Sequence, residues 1–289
     1  MTTVKLKSFA KINPLLFIRE KREDGYHNIF TLYQTVSIFD EIELSIEKGR
    51  KGIEISSNRD IPLDSSNLVY KAIELFLDEF KVKPHFFRIF IDKRVPAGGG
   101  MGGGSANAGA VLLFLKKYFK IKSDKRILKV AGEVGSDVPL FLLGGTVMGT
   151  GKGEKVTKIK DLPNTEFLAV FTGKHYPTEK MYSLFDEKCQ PLEMDLIKFS
   201  ERVLSVYRKG YEGYYNDFDR LLEYYDKDLF ELFGFLKAKG FKPMLSGSGS
   251  TFLVFGKDLN SAKRFLPANF NAVKLEFVSG SEYEKLLFP

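Results

Sequence analysis

Cysteine, histidine and tryptophan are scarce in this chain of 289 residues, which has one cysteine, three histidines and no tryptophan. The single cysteine, Cys189, excludes an intrachain disulfide framework, and with so few histidines it also argues against a Cys/His zinc site. Nothing beside Cys189 in the sequence is expected to lower the pKa of its thiol. We therefore interpret this cysteine as incidental and not as a nucleophile.

Long apolar segments are missing as well. No run approaches the ~20 apolar residues that cross a bilayer. The N-terminal segment MTTVKLKSFAKIN lacks the apolar core and small-residue cleavage site of a secretory signal. We therefore expect a cytoplasmic protein without a membrane partner. Hydrophobic residues make up 44% and charged residues 28% of the chain, a globular balance, and the length suffices for two lobes with separate cores.

The net charge of +7 suits an enzyme that handles phosphorylated, acidic ligands, and it would also suit a nucleic-acid binder. The lysines are spread along the chain and there is no arginine-rich tract. We expect no nucleic-acid partner. An RNA-binding protein remains the alternative of a different class, and a steep salt dependence of RNA affinity would favour it.

Apolar periodicity and turn residues predict an α+β fold in two lobes. In the first half the pattern predicts strands at 4–18, 29–38, 40–47, 52–56 and 86–91, and helices at 67–80, 106–118 and 124–134. Ser65 and Ser66 are the candidate N-caps of the first helix. In the second half it predicts strands at 166–171, 251–255 and 271–278, and helices at 178–186, 191–206, 226–239 and 259–266. The segment 161–164 is the candidate boundary, which gives domains 1–160 and 161–289.

A glycine-rich loop is the strongest local feature, since six of the seven residues from 98 to 104 are glycine. The loop lies between a predicted buried strand and a predicted apolar helix. Glycine permits positive φ and close approach of a ligand to the backbone. The helix that follows directs unpaired N–H groups and the positive end of its dipole towards the loop. The pattern therefore predicts a phosphate site.

Two common phosphate motifs do not account for this loop. The Walker pattern G-x-x-x-x-G-K-[ST] is absent. Gly98, Gly100 and Gly103 match G-x-G-x-x-G, and Asp124 follows at about the spacing of a dinucleotide-binding fold. However, residues 93–96 separate the strand from the loop, and Asp124 begins a predicted helix instead of ending a second strand. The spacer before the loop and the position of Asp124 both disfavour a dinucleotide-binding oxidoreductase.

The loop resembles the phosphate loop of the GHMP kinases, P-x-x-x-G-L-G-S-S-A, at Pro96, Gly100, Met101 and Gly102. The Ser-Ser pair is replaced by Gly103 and Gly104, a departure similar to the 4-diphosphocytidyl-2-C-methyl-D-erythritol kinase branch. Four further segments resemble that branch, namely AKIN at 10–13, DGYHNIFTLYQ at 24–34, GSDVPLF at 135–141 and LSGSGSTFLVF at 245–255. The resemblance implies an N-terminal lobe like ribosomal protein S5 domain 2 and a ferredoxin-like C-terminal lobe.

The resemblance also implies the catalytic pair. Asp137 matches the family's catalytic aspartate in G-x-D-V-P and would accept or orient the proton of the substrate hydroxyl. Lys11, in AKIN, would hold Asp137 ionised and stabilise charge on the attacking oxygen. Two structural alternatives stay open at this point, a turn-capping Asp137 beside Pro139 and a surface Lys11 on a strand edge.

Ligand contacts follow from the same resemblance. For ATP they are Lys93, Asn67 and the loop Pro96, Ala97, Gly98, Gly99, Gly100, Met101, Gly102, Gly103, Gly104, Ser105 and Ala106. For the substrate they are Asn13, Tyr26, His27, Tyr33, Thr178 and Tyr182, with His27 on the cytosine edge and the tyrosine rings stacked on the base. Strand alternation places Asn13 on the face of Lys11. Mg²⁺ is expected from the chemistry, with its protein ligand open because Ser105 is one position from the family serine.

The implied activity is ATP-dependent phosphorylation of the 2-hydroxyl of 4-diphosphocytidyl-2-C-methyl-D-erythritol in non-mevalonate isoprenoid precursor synthesis. The alternative within the same class is a kinase of the mevalonate or homoserine type, whose substrates have no base to stack or read. The expected partners are ATP and the cytidine diphosphate substrate. The sequence leaves monomer and homodimer equally open.

Overall fold

The computed structural model describes residues 2–288, which form two sheets and their covering helices. The strands are β1 (Thr2–Lys21), β2 (His27–Lys48), β3 (Gly52–Ser57), β4 (His85–Asp92), β5 (Thr146–Thr150), β6 (Lys155–Lys158), β7 (Glu166–Phe171), β8 (Tyr215–Asn216), β9 (Lys242–Leu245), β10 (Phe252–Phe255) and β11 (Asn271–Glu276). The α-helices are α1 (Leu68–Glu79), α2 (Gly103–Tyr118), α3 (Asp124–Val134), α4 (Thr178–Lys188), α5 (Leu196–Lys209), α6 (Leu222–Tyr225), α7 (Lys227–Ala238), α8 (Leu259–Arg264) and α9 (Gly280–Leu286).

A long antiparallel hairpin of β1 and β2 organises the first lobe. The strands predicted at 29–38 and 40–47 are one strand, because β2 continues past residue 39 through a change of register between Phe9 and Lys11. Seven strands form this sheet, with the order β3-β4-β2-β1-β8 and with β5 paired to both β2 and β6. The register change lets the hairpin bend, so the half of β1 that carries Lys11 faces the glycine loop instead of the helices.

Helices α1, α2 and α3 cover one face of the first sheet and bury its apolar residues. The core they share includes Leu6, Phe9, Ile42, Phe76, Phe87, Val111 and Ile127. Helix α9 also packs here, since the Tyr283 hydroxyl donates to the Phe141 carbonyl at 2.6 Å and its ring lies 5.8 Å from that of Phe9. The end of the chain therefore returns to the first lobe.

The second sheet has the order β11-β7-β10-β9 and is antiparallel throughout. Helices α4, α7 and α8 cover one face of it. The other face packs on β1, β2 and α5 in a core that includes Ile12, Leu15, Phe17, Phe167, Phe199 and Leu253. Because the two lobes share this apolar core, the groups on their facing loops are held in a fixed relation.

Most predicted elements are confirmed, and several of the differences lie at helix ends. Asn67, not Ser65 or Ser66, is the N-cap of α1, because its side chain accepts from Val69 N at 2.9 Å. Helix α5 begins at Leu196 instead of 191, where Asp195 provides the cap. Helix α2 begins at Gly103, three residues earlier than predicted, because Gly102 occupies the N-cap position with φ +70°. Strands β6, β8 and β9 and helices α6 and α9 were not predicted.

Membrane-crossing helices were not expected from the sequence. None of the helices between residues 2 and 288 is long and apolar enough to cross a membrane.

Asp219 gives a prediction on pH and stability. Burial raises the pKa of its carboxyl from 3.8 to about 7, although the carboxyl accepts a hydrogen bond from Leu245 N at 2.8 Å. Ionising the group therefore costs stability in the folded state, and this cost grows as pH rises from about 4 to about 7. We expect Asp219→Asn to unfold at a higher temperature than the parent at pH 8, by the equivalent of about 1–2 kcal/mol.

The control for this prediction is Asp60→Asn, which removes an exposed loop carboxylate. The gain from Asp219→Asn should vanish at pH 4, since the parent carboxyl is then neutral in the folded protein. Thermal unfolding followed by circular dichroism at both pH values measures it. An equal gain at pH 4 and pH 8 would contradict the assigned pKa.

Candidate active site

A cleft of about 1180 Å³ lies between the lobes. Its walls come from the glycine loop and the start of α2, from β1 and β2, from residues 135–137, from the start of α4 and from residues 247–248. These are the segments that the sequence motifs marked, although they are far apart in the chain. A cleft between lobes is the usual location of a small-molecule site.

The glycine loop forms one wall of the cleft with a backbone that only glycine adopts readily. Gly98, Gly100 and Gly102 have φ of +69°, +74° and +70°. Gly102 then leads directly into α2, so the free N–H groups of the first turn of a sixteen-residue helix face the cleft. The loop and the helix start thus form a positively polarised, side-chain-free surface of the kind that suits phosphate groups.

A second glycine loop, residues 246–251, packs against the first. A Cβ at Gly100 would lie 1.9 Å from the Ser246 carbonyl oxygen, so no side chain fits between the loops. The Ser246 hydroxyl donates to the Gly100 carbonyl at 3.2 Å. The second lobe therefore supports the phosphate loop from behind, a role that the sequence pattern LSGSGST did not reveal.

Gly103 and Gly104, which replace the Ser-Ser pair of the GHMP kinase loop, have different surroundings. A Cβ at Gly103 would lie 3.0 Å from both the Lys93 Nζ and a methyl group of Val95, so a serine here would require these side chains to shift by a few tenths of an ångström. A Cβ at Gly104 would meet only a Leu68 methyl group at 3.8 Å, which is ordinary contact. Packing therefore disfavours a side chain at residue 103 but not at residue 104.

Asp40 anchors the segment before the glycine loop and is fully buried. One carboxylate oxygen accepts from Arg94 N and Val95 N, both at 2.8 Å, and the other pairs with the Lys93 ammonium. Lys93 lines the cleft with its charge already balanced. Sequence reasoning missed Asp40, because a single acidic residue in a strand carries no motif.

Lys11, Asp137 and Tyr33 meet at the centre of the cleft. Lys11 Nζ lies 3.3 Å from Asp137 Oδ2, and the Tyr33 hydroxyl donates to Asp137 Oδ1 at 3.2 Å. The Lys11 side chain is 6% exposed, whereas that of Asp137 is 33% exposed and opens to the cleft. Burial, and secondly the charge of Asp137, hold the pKa of Tyr33 well above its usual range, so the phenol keeps its proton.

Asn13 lies next to this pair, on the strand face that alternation predicts. Its Oδ1 accepts from Lys11 Nζ at 2.8 Å and its Nδ2 donates to Thr31 Oγ1 at 2.8 Å. Lys11 thus has two polar partners, Asp137 and Asn13, while its backbone N–H donates to the Met101 carbonyl at 3.0 Å. These contacts fix the direction of the Lys11 ammonium. A group that acts on a single ligand oxygen requires such fixed positioning.

His27 and Tyr182 form the opposite end of the cleft. Their rings are stacked, with centroids 4.9 Å apart and planes inclined by 12°, and Phe218 abuts Tyr182 edge-on at 5.0 Å. His27 Nε2 lies 2.6 Å from Asp186 Oδ1, a partner that sequence reasoning missed. The phenol of Tyr182 stays protonated, because burial and then the charge of Asp137 raise its pKa.

Tyr26 and Thr178 line the mouth at this end. The Tyr26 ring is 56% exposed and carries the Lys152 ammonium 4.2 Å above its centroid. Thr178 starts α4, and its hydroxyl lies 3.1 Å from that of Ser248. An exposed aromatic ring at a cleft mouth is available for stacking on a planar ligand.

The remaining predicted residues differ in whether their side chains can reach a ligand in the cleft. Asn67 borders the cleft, but its side chain is engaged in capping α1 and in donating to the Pro62 carbonyl at 2.6 Å. Met101 and Ala106 are buried and do not line the cleft. Tyr33 has a buried ring, so its hydroxyl and not its face reaches the cleft.

Asn107, one turn into α2, was not singled out from the sequence. It lines the cleft, is 3% exposed, and its Oδ1 has no hydrogen-bond partner within residues 2–288. Buried amides are almost always paired in folded proteins. The Asn107 Oδ1 is therefore available to accept a hydrogen bond from a ligand in the cleft.

Metal ligands are few in the part of the chain that the structure describes. Residues 2–288 contain no group of three or more His, Cys, Asp or Glu side chains that could hold a metal ion. The cleft offers single oxygens from Ser105, Ser136 and Asp137. Such a set suits an ion held mainly by phosphate oxygens and water, as Mg²⁺ is in many nucleotide sites.

Comparison with known proteins agrees with this geometry. A family model described as the GHMP kinases N terminal domain matches residues 67–145, which include the glycine loop and Asp137. A protein of Thermosipho melanesiensis named 4-diphosphocytidyl-2-C-methyl-D-erythritol kinase is 33% identical over 97% of this chain and 96% of its own length. The protein of the same name from Thermosipho africanus is 35% identical with the same coverage. The chain belongs to the GHMP kinases, in the 4-diphosphocytidyl-2-C-methyl-D-erythritol kinase branch.

Solved structures agree on the fold of this small-molecule kinase. A crystal structure titled 4-(cytidine 5'-diphospho)-2C-methyl-D-erythritol kinase has a TM-score of 0.73 at 30% identity and covers 94% of this chain and 98% of its own. The Methanococcus jannaschii mevalonate kinase shares the fold at 15% identity, with a TM-score of 0.66 and coverage of 96% and 98%. The two-lobed α+β prediction is confirmed.

Proposed function

We propose that this kinase phosphorylates the 2-hydroxyl of 4-diphosphocytidyl-2-C-methyl-D-erythritol with ATP, a step of non-mevalonate isoprenoid precursor synthesis. One observation carries the proposal: Lys11 and Asp137 lie between a side-chain-free, N–H-lined end and an aromatic, imidazole-bearing end of one cleft. Such a cleft suits two ligands, one with phosphates and one with a base. The relatives described above carry the name of an enzyme for this substrate.

The glycine-lined end is the proposed ATP site. Positive-φ glycines present backbone N–H groups to the phosphates, and α2 adds its dipole. Lys93 lies beside Gly103 at this end, and Asn67 holds the start of α1 next to it. Mg²⁺ bound to the nucleotide would neutralise phosphate charge. Ser105, Ser136 and Asp137 are the oxygen-bearing residues from which this chain would contact the ion.

Asp137 is the proposed base or orienting group for the acceptor hydroxyl. Its exposed carboxylate faces the cleft, while Tyr33 and Lys11 hold it from behind and fix its direction. The proton of the substrate hydroxyl passes to or towards a carboxylate oxygen as the oxygen attacks phosphorus. Lys11, nearly buried and 3.3 Å from Asp137, pairs with the carboxylate and stabilises negative charge on the attacking oxygen.

The aromatic end is the proposed cytidine site. Tyr182 and the exposed ring of Tyr26 supply stacking surfaces, worth ~1–3 kcal/mol per base. His27 meets the hydrogen-bonding edge of cytosine. Asn13 and Thr178 supply polar contacts between this end and the catalytic pair. Substrates without a base would leave this end of the cleft unfilled.

A coupled ADP-release assay tests the function. We expect turnover with ATP and 4-diphosphocytidyl-2-C-methyl-D-erythritol, and at least ~100-fold lower kcat/KM with mevalonate or homoserine, because neither compound can make the stacking contacts. Turnover of either competitor equal to that of the cytidine substrate would contradict the proposal.

Replacing Asn107 by leucine should change the stability of the enzyme and its affinity for ATP in opposite directions. The change removes a buried unpaired amide and retains similar volume, so the unliganded enzyme should gain about 1 kcal/mol of unfolding free energy. ATP affinity should fall about tenfold if the amide contacts the nucleotide. Thermal unfolding and calorimetric titration with a non-hydrolysable ATP analogue measure the two effects. Loss of stability with unchanged ATP affinity would mean that the amide serves the fold alone.

We also propose that the lobes divide at the segment 161–164, as 1–160 and 161–289. The strands of the second sheet all follow this segment in the sequence, and those of the first sheet all precede it except β8, which pairs with β1. Helix α9 is a second exception, because it belongs to the second part of the chain but packs on the first sheet.

A further inference from the structure

Asp186 links the proposed cytidine site to helix α4. Its Oδ1 lies 2.6 Å from His27 Nε2, and its Oδ2 accepts from Lys21 Nζ at 2.9 Å. Tyr182 lies one helical turn before Asp186 on α4, so both reach the His27 ring, one at its face and the other at its edge. His27 itself is 5% exposed. The imidazole is therefore clamped by two side chains of one helix.

The contact determines which ring nitrogen carries the proton. Asp186 is an acceptor, because the pKa of its carboxyl is lowered. Partial burial raises this pKa, but the hydrogen bonds from Lys21 and His27 together lower it by more. At 2.6 Å from a carboxylate oxygen, Nε2 must be the protonated nitrogen. In the neutral imidazole Nδ1 is then an acceptor, and His27 lines the cleft.

An acceptor in this position discriminates between pyrimidines. Cytosine presents an amino donor at C4, whereas uracil presents a carbonyl acceptor there. A base that forms an in-plane hydrogen bond to Nδ1 can lie coplanar with the imidazole, and it is then parallel to the Tyr182 ring, which is inclined by only 12° to that of His27. A uracil placed in the same way would set two acceptors against each other, which is costly in a buried site.

We propose that Asp186 is a specificity-determining positioning residue, which fixes His27 as the Nε2–H tautomer and so selects cytosine over uracil. This inference rests on the proposed function, because it concerns the base of that substrate. Asp186 acts through His27 and does not need to touch the substrate. Nothing in the residue type or spacing of Asp186 marked it in the sequence.

The test compares Asp186→Asn with the parent enzyme on the cytidine substrate and on its uridine counterpart. Asparagine has nearly the same shape, but its amide can either accept from or donate to Nε2, so His27 is free to adopt either tautomer. We expect the ratio of the two kcat/KM values to fall about tenfold, with the KM for ATP unchanged. Glu187→Gln is the matched control, since it removes a neighbouring charge on α4 that pairs with Lys188 instead.

The outcomes are distinguishable. Equal loss on both substrates, or the same fall in the ratio in Glu187→Gln, would overturn the role of Asp186. No turnover of the cytidine substrate by the parent enzyme would overturn the proposed function itself. The ¹⁵N shifts of His27 in the parent protein, assigned among three histidines with a His27→Gln variant, decide the tautomer even if Asp186→Asn does not fold. A protonated Nδ1 would overturn the inference.

Discussion

Asp137→Asn should lower kcat by about 10³-fold and leave ATP affinity within about twofold of the parent value. Asparagine keeps the size of the side chain and can still accept the hydrogen bond that Tyr33 donates at 3.2 Å. It cannot take a proton, and it leaves the nearly buried Lys11 ammonium without its counter-charge. Steady-state kinetics and calorimetric titration with an ATP analogue measure the two quantities.

Glu179→Gln serves as the control for this prediction, because it removes a carboxylate at the start of α4 that also lines the cleft. It should change kcat by less than about threefold, since it is outside the Lys11–Asp137 pair. Loss of ATP binding in Asp137→Asn would mean that the carboxylate serves the nucleotide and not the acceptor hydroxyl.

Lys11→Met tests whether the pair acts as a unit. Groups that act on the same step give non-additive losses. We therefore expect the double variant Lys11→Met/Asp137→Asn to lose little more activity than either single variant. Fully multiplicative losses would indicate that Lys11 and Asp137 act on separate steps.

Gly100→Ala should destabilise the protein by about 3 kcal/mol or more and abolish measurable ATP binding. The new Cβ would lie 1.9 Å from the Ser246 carbonyl oxygen, and φ at this residue is +74°. The two glycine loops must then separate, which moves the phosphate-binding backbone away from α2. The melting temperature should fall by about 6 °C or more.

Gly132→Ala is the matched control. Gly132 lies within α3 and does not have positive φ, and a Cβ at this position would meet nothing within 4 Å beyond its own stretch of helix. Alanine favours a helix over glycine by about 1 kcal/mol, so this variant should melt at or above the parent temperature. If Gly100→Ala retained parental stability and ATP binding, the contact between the glycine loops would have no structural importance.

How far the sequence predicted the fold can be judged from β2 and α2. The apolar pattern predicted both halves of β2 but not that they form one strand. The change of register between Phe9 and Lys11, through which β2 continues, leaves no mark in the amino-acid composition. It found α2 but began it late, since a helix that starts on Gly103 has no propensity signal to mark its first turn. Strand β9 was missed because Pro243 and Gly240 are turn residues by pattern, yet pairing with β10 holds this segment extended.

The candidate site shows a similar division. Motifs identified Lys11, Asp137 and the glycine loop, because phosphate chemistry restricts the residue types that can do this work. Asp40, Asp186 and Asn107 have no such signal. Each was found only through what surrounds it: backbone N–H groups around Asp40, an imidazole at Asp186 and an unpaired buried amide at Asn107.

The glycine loop, the catalytic candidates and the order of most elements could be predicted from the sequence, because glycine runs, motif spacing and apolar periodicity are local properties of the chain. The importance of the lone carboxylates, and the reason why Gly100 must stay glycine, became visible only in the folded protein. Asp186 meets His27 across 159 positions and Gly100 meets Ser246 across 146. Contacts at that separation depend on how the lobes pack, and a linear pattern carries no information about a partner whose position only packing fixes.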